Sequence, residues 1–159
     1  ADIGTTSLGF GDVFIADDKA IKFGNDQDAT IEYDENGTDR LIIAGSQVTF
    51  GKSVLGSAQT ANATGNTTLD FATYQNFLLT ATGNVTLVNP STETVGQSGF
   101  IVIKQDGTGS RTLSIGTQYV TVGDGTYTLS TAAAAIDLIP YVVQADGVIL
   151  LGNPSLAFA

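Results

Sequence analysis

Most ionisable side chains in this chain are carboxylates, with 16 Asp and Glu against 6 Lys and Arg. Asp26, Asp28, Asp34 and Asp39 stand beside turn residues, and oxygen ligands near turns suit Ca2+. The EF-hand pattern is excluded, because the twelfth position counted from Asp34 is Gly45 and not Glu. The stronger reading of these acids is solvated turn residues that also keep strand edges from mispairing. Asp17 and Asp18 are adjacent, so on a strand they face opposite sides and cannot share a proton-transfer cleft. Asp106, Asp124 and Asp146 each sit in a turn with Gly, which accounts for them without catalysis.

Nucleophiles are abundant but have nothing to activate them. Ser and Thr are frequent, yet the chain has no His and no Cys. Gly96-Gln97-Ser98-Gly99 lacks the spacing of a hydrolase nucleophile elbow. Lys52 and Lys104 could act as bases, but no Ser is paired with either in the sequence. Gly9-Phe10-Gly11 lacks the third glycine of a dinucleotide loop, and no phosphate-binding loop is present. No catalytic, cofactor or metal residues are expected, apart from the Ca2+ alternative at Asp26, Asp28, Asp34 and Asp39. Tyr74, Tyr119, Tyr127 and Tyr141 could stack on sugar rings, although half-buried packing is the commoner role of a strand tyrosine. The sequons at Asn36, Asn62, Asn66 and Asn84 are what a Thr-rich chain produces by chance.

The elements that would position these residues are short strands. Val13–Ile15, Ile21/Phe23, Ala29/Ile31/Tyr33, Leu41–Ile43 and Val48/Phe50 recur about every ten residues with turn residues between them. Glu35-Asn36-Gly37 is a turn whose Asn-Gly pair suits positive φ. Residues 57–68 are small and polar and read as a linker or long loop. Beyond it, strands are expected at 68–71, 77–81, 85–88, 100–105, 111–115, 119–122, 127–129, 136–143 and 148–151. The turns between them are Thr82-Gly83-Asn84, Asp106–Gly109, Val122–Gly125 and Ala145-Asp146-Gly147. Ala132–Ala135 is too short to nucleate a helix, and Pro140 would stop one. The expected division is an arm over 1–56, a linker over 57–67 and a β-sandwich over 68–159.

Composition agrees with an all-β chain. Its 159 residues include 19 Gly and 22 Thr, while only 14% are charged. Net charge is −10, which opposes binding to nucleic acid or to an anionic membrane. No apolar run is long enough to span a bilayer, and no signal peptide is visible. The start at Ala1 fits either initiator-Met removal or cleavage from a longer chain. Charge is uneven: residues 1–52 carry −6 and residues 53–159 carry −4. An arm of about 50 residues with such short strands cannot close a core alone. It must pack on the rest of the chain or on copies of itself.

Two stretches resemble a known family. Gly99–Leu113, containing Gln105-Asp106-Gly107-Thr108-Gly109-Ser110-Arg111-Thr112, is followed by Leu129-Ser130-Thr131-Ala132-Ala133-Ala134-Ala135-Ile136-Asp137. With Gly83–Leu87 before them, they resemble a β-sandwich module of tailed-bacteriophage virion proteins, of the capsid decoration and tail fibre type, known from marine and cyanobacterial phages. Asp17–Asp28, with its Phe23-Gly24-Asn25-Asp26 core, is similar to segments of phage fibre and appendage proteins. The module usually carries Trp-Pro after its Ser-Arg-Thr strand, whereas this chain has Ser114-Ile115-Gly116-Thr117.

The resemblance implies a non-enzymatic virion structural protein, made in the host cytoplasm and carried on the particle surface. The fold expected is all-β, a C-terminal jelly-roll-like β-sandwich preceded by an extended β arm that trimerises. The short chain favours a homotrimeric head decoration (cement) protein that contacts the major capsid protein or other virion proteins. The alternative is a tail fibre recognising a host glycan, and third comes a free carbohydrate-binding module. The partners expected are further copies of the chain and other virion proteins, with no nucleic acid and no membrane. Phe14, Ile21, Phe23, Ile31 and Ile43 are the expected trimer core. The apolar C-terminal stretch is expected to dock through Phe158, and residues 66–159 are expected to fold alone.

Overall fold

In the computed structural model of the chain, residues 12–16, 19–34 and 40–158 are described. Asp17, Asp18, Asp39, Gly9–Gly11 and the turn at 35–37 lie outside them. The chain forms two compact units, Ala1–Val54 and Leu55–Ala159.

The first unit holds an antiparallel meander of β1 (Ala20–Phe23), β2 (Ala29–Asp34) and β3 (Arg40–Ala44). Apolar residues alternate with polar ones along β1 and β2, which puts one set of side chains on one face. Register places Ile21 opposite Ile31 and Ile31 opposite Ile43, so the three form one row across the sheet. A tight turn joins β1 to β2, with Gly24 at φ +88° and a Gln27 N–H donating to the Gly24 carbonyl. None of the described residues of this unit is fully buried.

The second unit is all-β and sandwich-like, as read from the sequence. Its sheet runs β4 (Ala58–Thr67), β5 (Asn76–Leu87), β6 (Ser98–Gln105), β9 (Ile136–Ala145), β10 (Val148–Leu151) and β8 (Tyr119–Val120). β7 (Leu113–Ile115) pairs with β5, and β11 (Ser155–Phe158) pairs with β9. β4, β6 and β7 all run parallel to β5, a connectivity that turn spacing does not reveal. β6 lies along the first half of β5 and β7 along the second, so residues 106–112 form a loop thrown out between two parts of one edge.

Several sequence boundaries need correction. The linker expected over 57–67 is strand β4, ten residues long, with Ala63 in the core. Small polar residues suit this position because β4 is an edge strand with only scattered inward side chains. The turn expected at Thr82-Gly83-Asn84 is instead the middle of β5. The ladder with β4 shifts register there: Ala63 faces Ala81, but Gly65 faces Val85. Such a bulge bends a strand without ending it. The strands expected at 68–71 and 127–129 are not formed. Leu69, Phe71 and Leu129 are buried nonetheless, because these connections close over the sheet.

The core follows from alternation. Phe77, Leu79 and Ala81 on β5, Ile101 and Ile103 on β6, and Ile139, Tyr141 and Val143 on β9 all point inward. Val85, Leu87 and Leu113, beyond the bulge, join the same cluster, so the sheet curls over itself. Phe71, Phe77 and Tyr141 pack ring against ring, with centroids 4.8 to 5.9 Å apart.

Candidate functional site

The two stretches that carry the resemblance meet in space. Asp106, at the end of β6, folds its carboxylate back into the loop. Oδ1 accepts the N–H groups of Thr108 and Gly109, each at 2.9 Å. Oδ2 accepts Nη2 of Arg111 at 2.7 Å and Nε at 3.2 Å. The Arg111 hydrogen bond, and next the Gly109 N–H, hold the Asp106 carboxyl down to about 2. Both side chains are partly exposed, so the pair shapes the loop more than it stabilises the fold. Gly109 adopts φ +75° against the backbone of Thr131–Ala133, where a Cβ would collide.

The second stretch completes the contact. Ser110 N–H donates to the Thr131 carbonyl, Ala134 N–H to the Asp106 carbonyl and Gln105 N–H to the Ala135 carbonyl. Asp137 is fully buried on β9 and accepts three hydrogen bonds. These come from Ser130 N–H at 2.7 Å, Ser130 Oγ at 2.6 Å and Ala157 N–H at 2.9 Å. One carboxylate therefore ties the entry to β9 to the C-terminal strand. Neither this group nor buried Gln105 stood out in the sequence. The signal was available: Gln105 continues the inward series Ile101, Ile103, and Asp137 begins the inward series Ile139, Tyr141.

The remaining sequence candidates are placed as follows. Tyr119 and Tyr141 are buried, while Tyr74 and Tyr127 are half-buried and pack against the core, the commoner role of a strand tyrosine. The Tyr141 hydroxyl donates to the Gln75 carbonyl at 2.7 Å, and burial pushes its pKa up to about 12. Gln97 of the Gly-Gln-Ser-Gly stretch donates to the carbonyls of Phe71 and Tyr74, a structural task at the entry to β6. Among the described residues, no group of three or more potential metal ligands is gathered. Asp26 and Asp28 lie in the β1–β2 connection and Asp34 ends β2. No helix among the described residues is long and apolar enough to cross a membrane.

The proposed assembly residues are on the surface of the single chain. Phe14 is 90% exposed, and Ile21, Phe23 and Ile43 are 43 to 49% exposed; Ile31, in the middle strand, is half-buried. Beside them Ile15, Lys19, Tyr33 and Leu41 help line a groove of about 360 Å3. At the other end of the chain, β11 docks on β9 through Ser155 opposite Leu138 and Phe158 opposite Ile136. The Phe158 side chain itself remains 51% exposed.

These loops and the sheet that carries them fall within a stretch shared with other proteins. A family model described as "Putative phage tail fibre C-terminal domain" matches residues 54–148. No curated protein and no solved structure matches the chain. The matched stretch begins at the boundary of the second unit and takes in β4 to the start of β10, including both interlocked loops. The chain thus belongs to the phage tail fibre C-terminal domain family and is a component of a phage virion.

Proposed function

We propose that the protein is a non-enzymatic structural protein of the phage tail fibre, assembled as a homotrimer. The observation that carries this reading is the family match over residues 54–148, almost the whole second unit. Chain length argues for head decoration only if the chain is complete, and the family match favours the fibre over it. Chemistry supports a structural role: the polar groups with the most elaborate hydrogen bonding, Asp106, Gln105 and Asp137, are occupied in holding loops and the terminal strand.

Assembly is assigned to the first unit. The row Ile21, Ile31, Ile43, with Phe23 on the same face, leaves apolar surface that three β-strands cannot cover by themselves. Copies of the chain sharing this face would bury it. Antibody labelling of intact particles tests the location. Label confined to the tail is the expected result, and label on the capsid facets would replace the fibre with head decoration.

A further inference from the structure

The sheet of the second unit has a core on one face and an apolar patch on the other. Inward positions of β5, β6, β9 and β10 make the core, and the outward positions are expected to be polar if they meet water. Thr80, Thr82, Ser98 and Gln144 follow that rule, but Leu78, Phe100, Val142, Leu150 and Val120 also point outward, at 38 to 48% exposure. Register makes them one surface. Leu78 lies opposite Val102, and Phe100 opposite Pro140. Val142 lies opposite Leu150, which in turn lies opposite Val120. Residues paired across strands share a face, and Leu138, Pro140 and Val142 along β9 join these rows into one patch from β5 to β8, with Ser98 opposite Val142. Phe158, opposite Ile136, extends it along the far side of β9. The outward strand positions carry one charge, Lys104.

We propose that this outer face of the second unit, centred on Phe100 and Val142, is a contact surface for a second copy of the chain. Charge supports that occupant. Each copy carries −10, so approach by most of the surface is opposed by repulsion. The outward strand positions carry no acidic group, and a surface equally poor in charge matches them. Another copy supplies such a surface. A specific interface needs ~1,000 Å2 in total, or about 500 Å2 from each copy, so the whole patch from Leu78 to Val120 would have to take part. A nucleic acid would find one cation there. The inference extends the multi-copy reading above and rests on it. It adds that copies touch through the second unit as well as the first.

The test replaces Phe100 in the full chain with the photoreactive analogue p-benzoyl-phenylalanine, which keeps an aromatic side chain at an exposed position. Thr108, in the exposed loop, serves as the control site. After irradiation at micromolar concentration, a denaturing gel should show linked species of two or three chain masses from position 100 and none from position 108. Only single-chain mass from position 100, or equal linking from both sites, overturns the proposal. If circular dichroism shows that the analogue at 100 disturbs folding, the same comparison at Leu150 decides. Particle labelling is a separate readout, so failure here leaves the fibre assignment standing.

Discussion

Gln105 holds both backbone groups of Arg111. Its Nε2 donates to the Arg111 carbonyl at 3.0 Å, and its Oε1 accepts the Arg111 N–H at 2.8 Å. The side chain is buried and closes the base of the loop as a strand partner would. Gln105→Leu keeps the volume but leaves both backbone groups unpaired. We expect a loss of roughly 2–4 kcal/mol, since each unsatisfied buried group costs ~1–3 kcal/mol. Urea denaturation should show a lower midpoint with an unchanged slope; an unchanged midpoint would mean the grip is dispensable.

Asp137 should matter more for the C-terminal strand than for the loop. Asp137→Ala removes the acceptor of the Ser130 and Ala157 hydrogen bonds. Hydrogen bonds to charged groups contribute ~1.5–3 kcal/mol, so the loss should exceed that of a single neutral bond. Amide exchange of residues 155–158 is expected to speed up before that of β5 and β6. Uniform acceleration across the unit would argue against a latch at β11.

The Asp106–Arg111 pair sets an acid limit. Its carboxyl titrates near 2 in the folded protein, below the ordinary value of 3.8. The pair's contribution is therefore complete above the ordinary value and is lost as pH falls from there towards 2. Other carboxylates titrate in the same range, so the readout is the difference between the wild type and Asp106→Asn. That difference should shrink over this window and be reduced by salt. A difference that is constant across the window would refute the assignment.

Tyr141 sets an alkaline limit. Burial raises its pKa from 10.0 to about 12, so the folded state favours the protonated phenol. Its contribution is present below the unfolded value and fades as pH rises from 10 towards 12. Tyrosinate absorbance should appear late for this residue, and Tyr141→Phe should flatten the loss of stability over that interval. The same variant removes the bond to the Gln75 carbonyl, costing about 1 kcal/mol at neutral pH.

The place of β4 changes where the chain can be cut. A fragment starting at residue 66 would lack most of β4 and the buried Ala63. Residues 55–159 should unfold in one cooperative transition, whereas residues 66–159 should be less stable and expose the edge of β5. Equal melting temperatures for the two fragments would show that β4 adds nothing. Residues 1–54 alone are expected not to fold, because three short strands with no fully buried described residue close no core.

The sequence by itself determined the all-β class and most of the strands. Period-2 alternation in Ile101–Gln105 and Ile139–Val143, and Gly at turn positions, are local signals that need no neighbour to be read. The linker at 57–67 and the turn at 82–84 were misplaced for one reason. Ala, Thr, Asn and Gly say little about a strand whose pairing partner comes later in the chain, and a bulge resembles a turn in sequence. Parallel pairing of β4, β6 and β7 with β5 is a contact between distant residues, and no local pattern encodes it. The tertiary structure also decided which polar groups are buried. Gln105 and Asp137 are ordinary surface residue types until Arg111, Ser130 and Ala157 are brought against them. It likewise decided which outward apolar residues are exposed among the described residues, because alternation gives the side a residue points to and not what lies there.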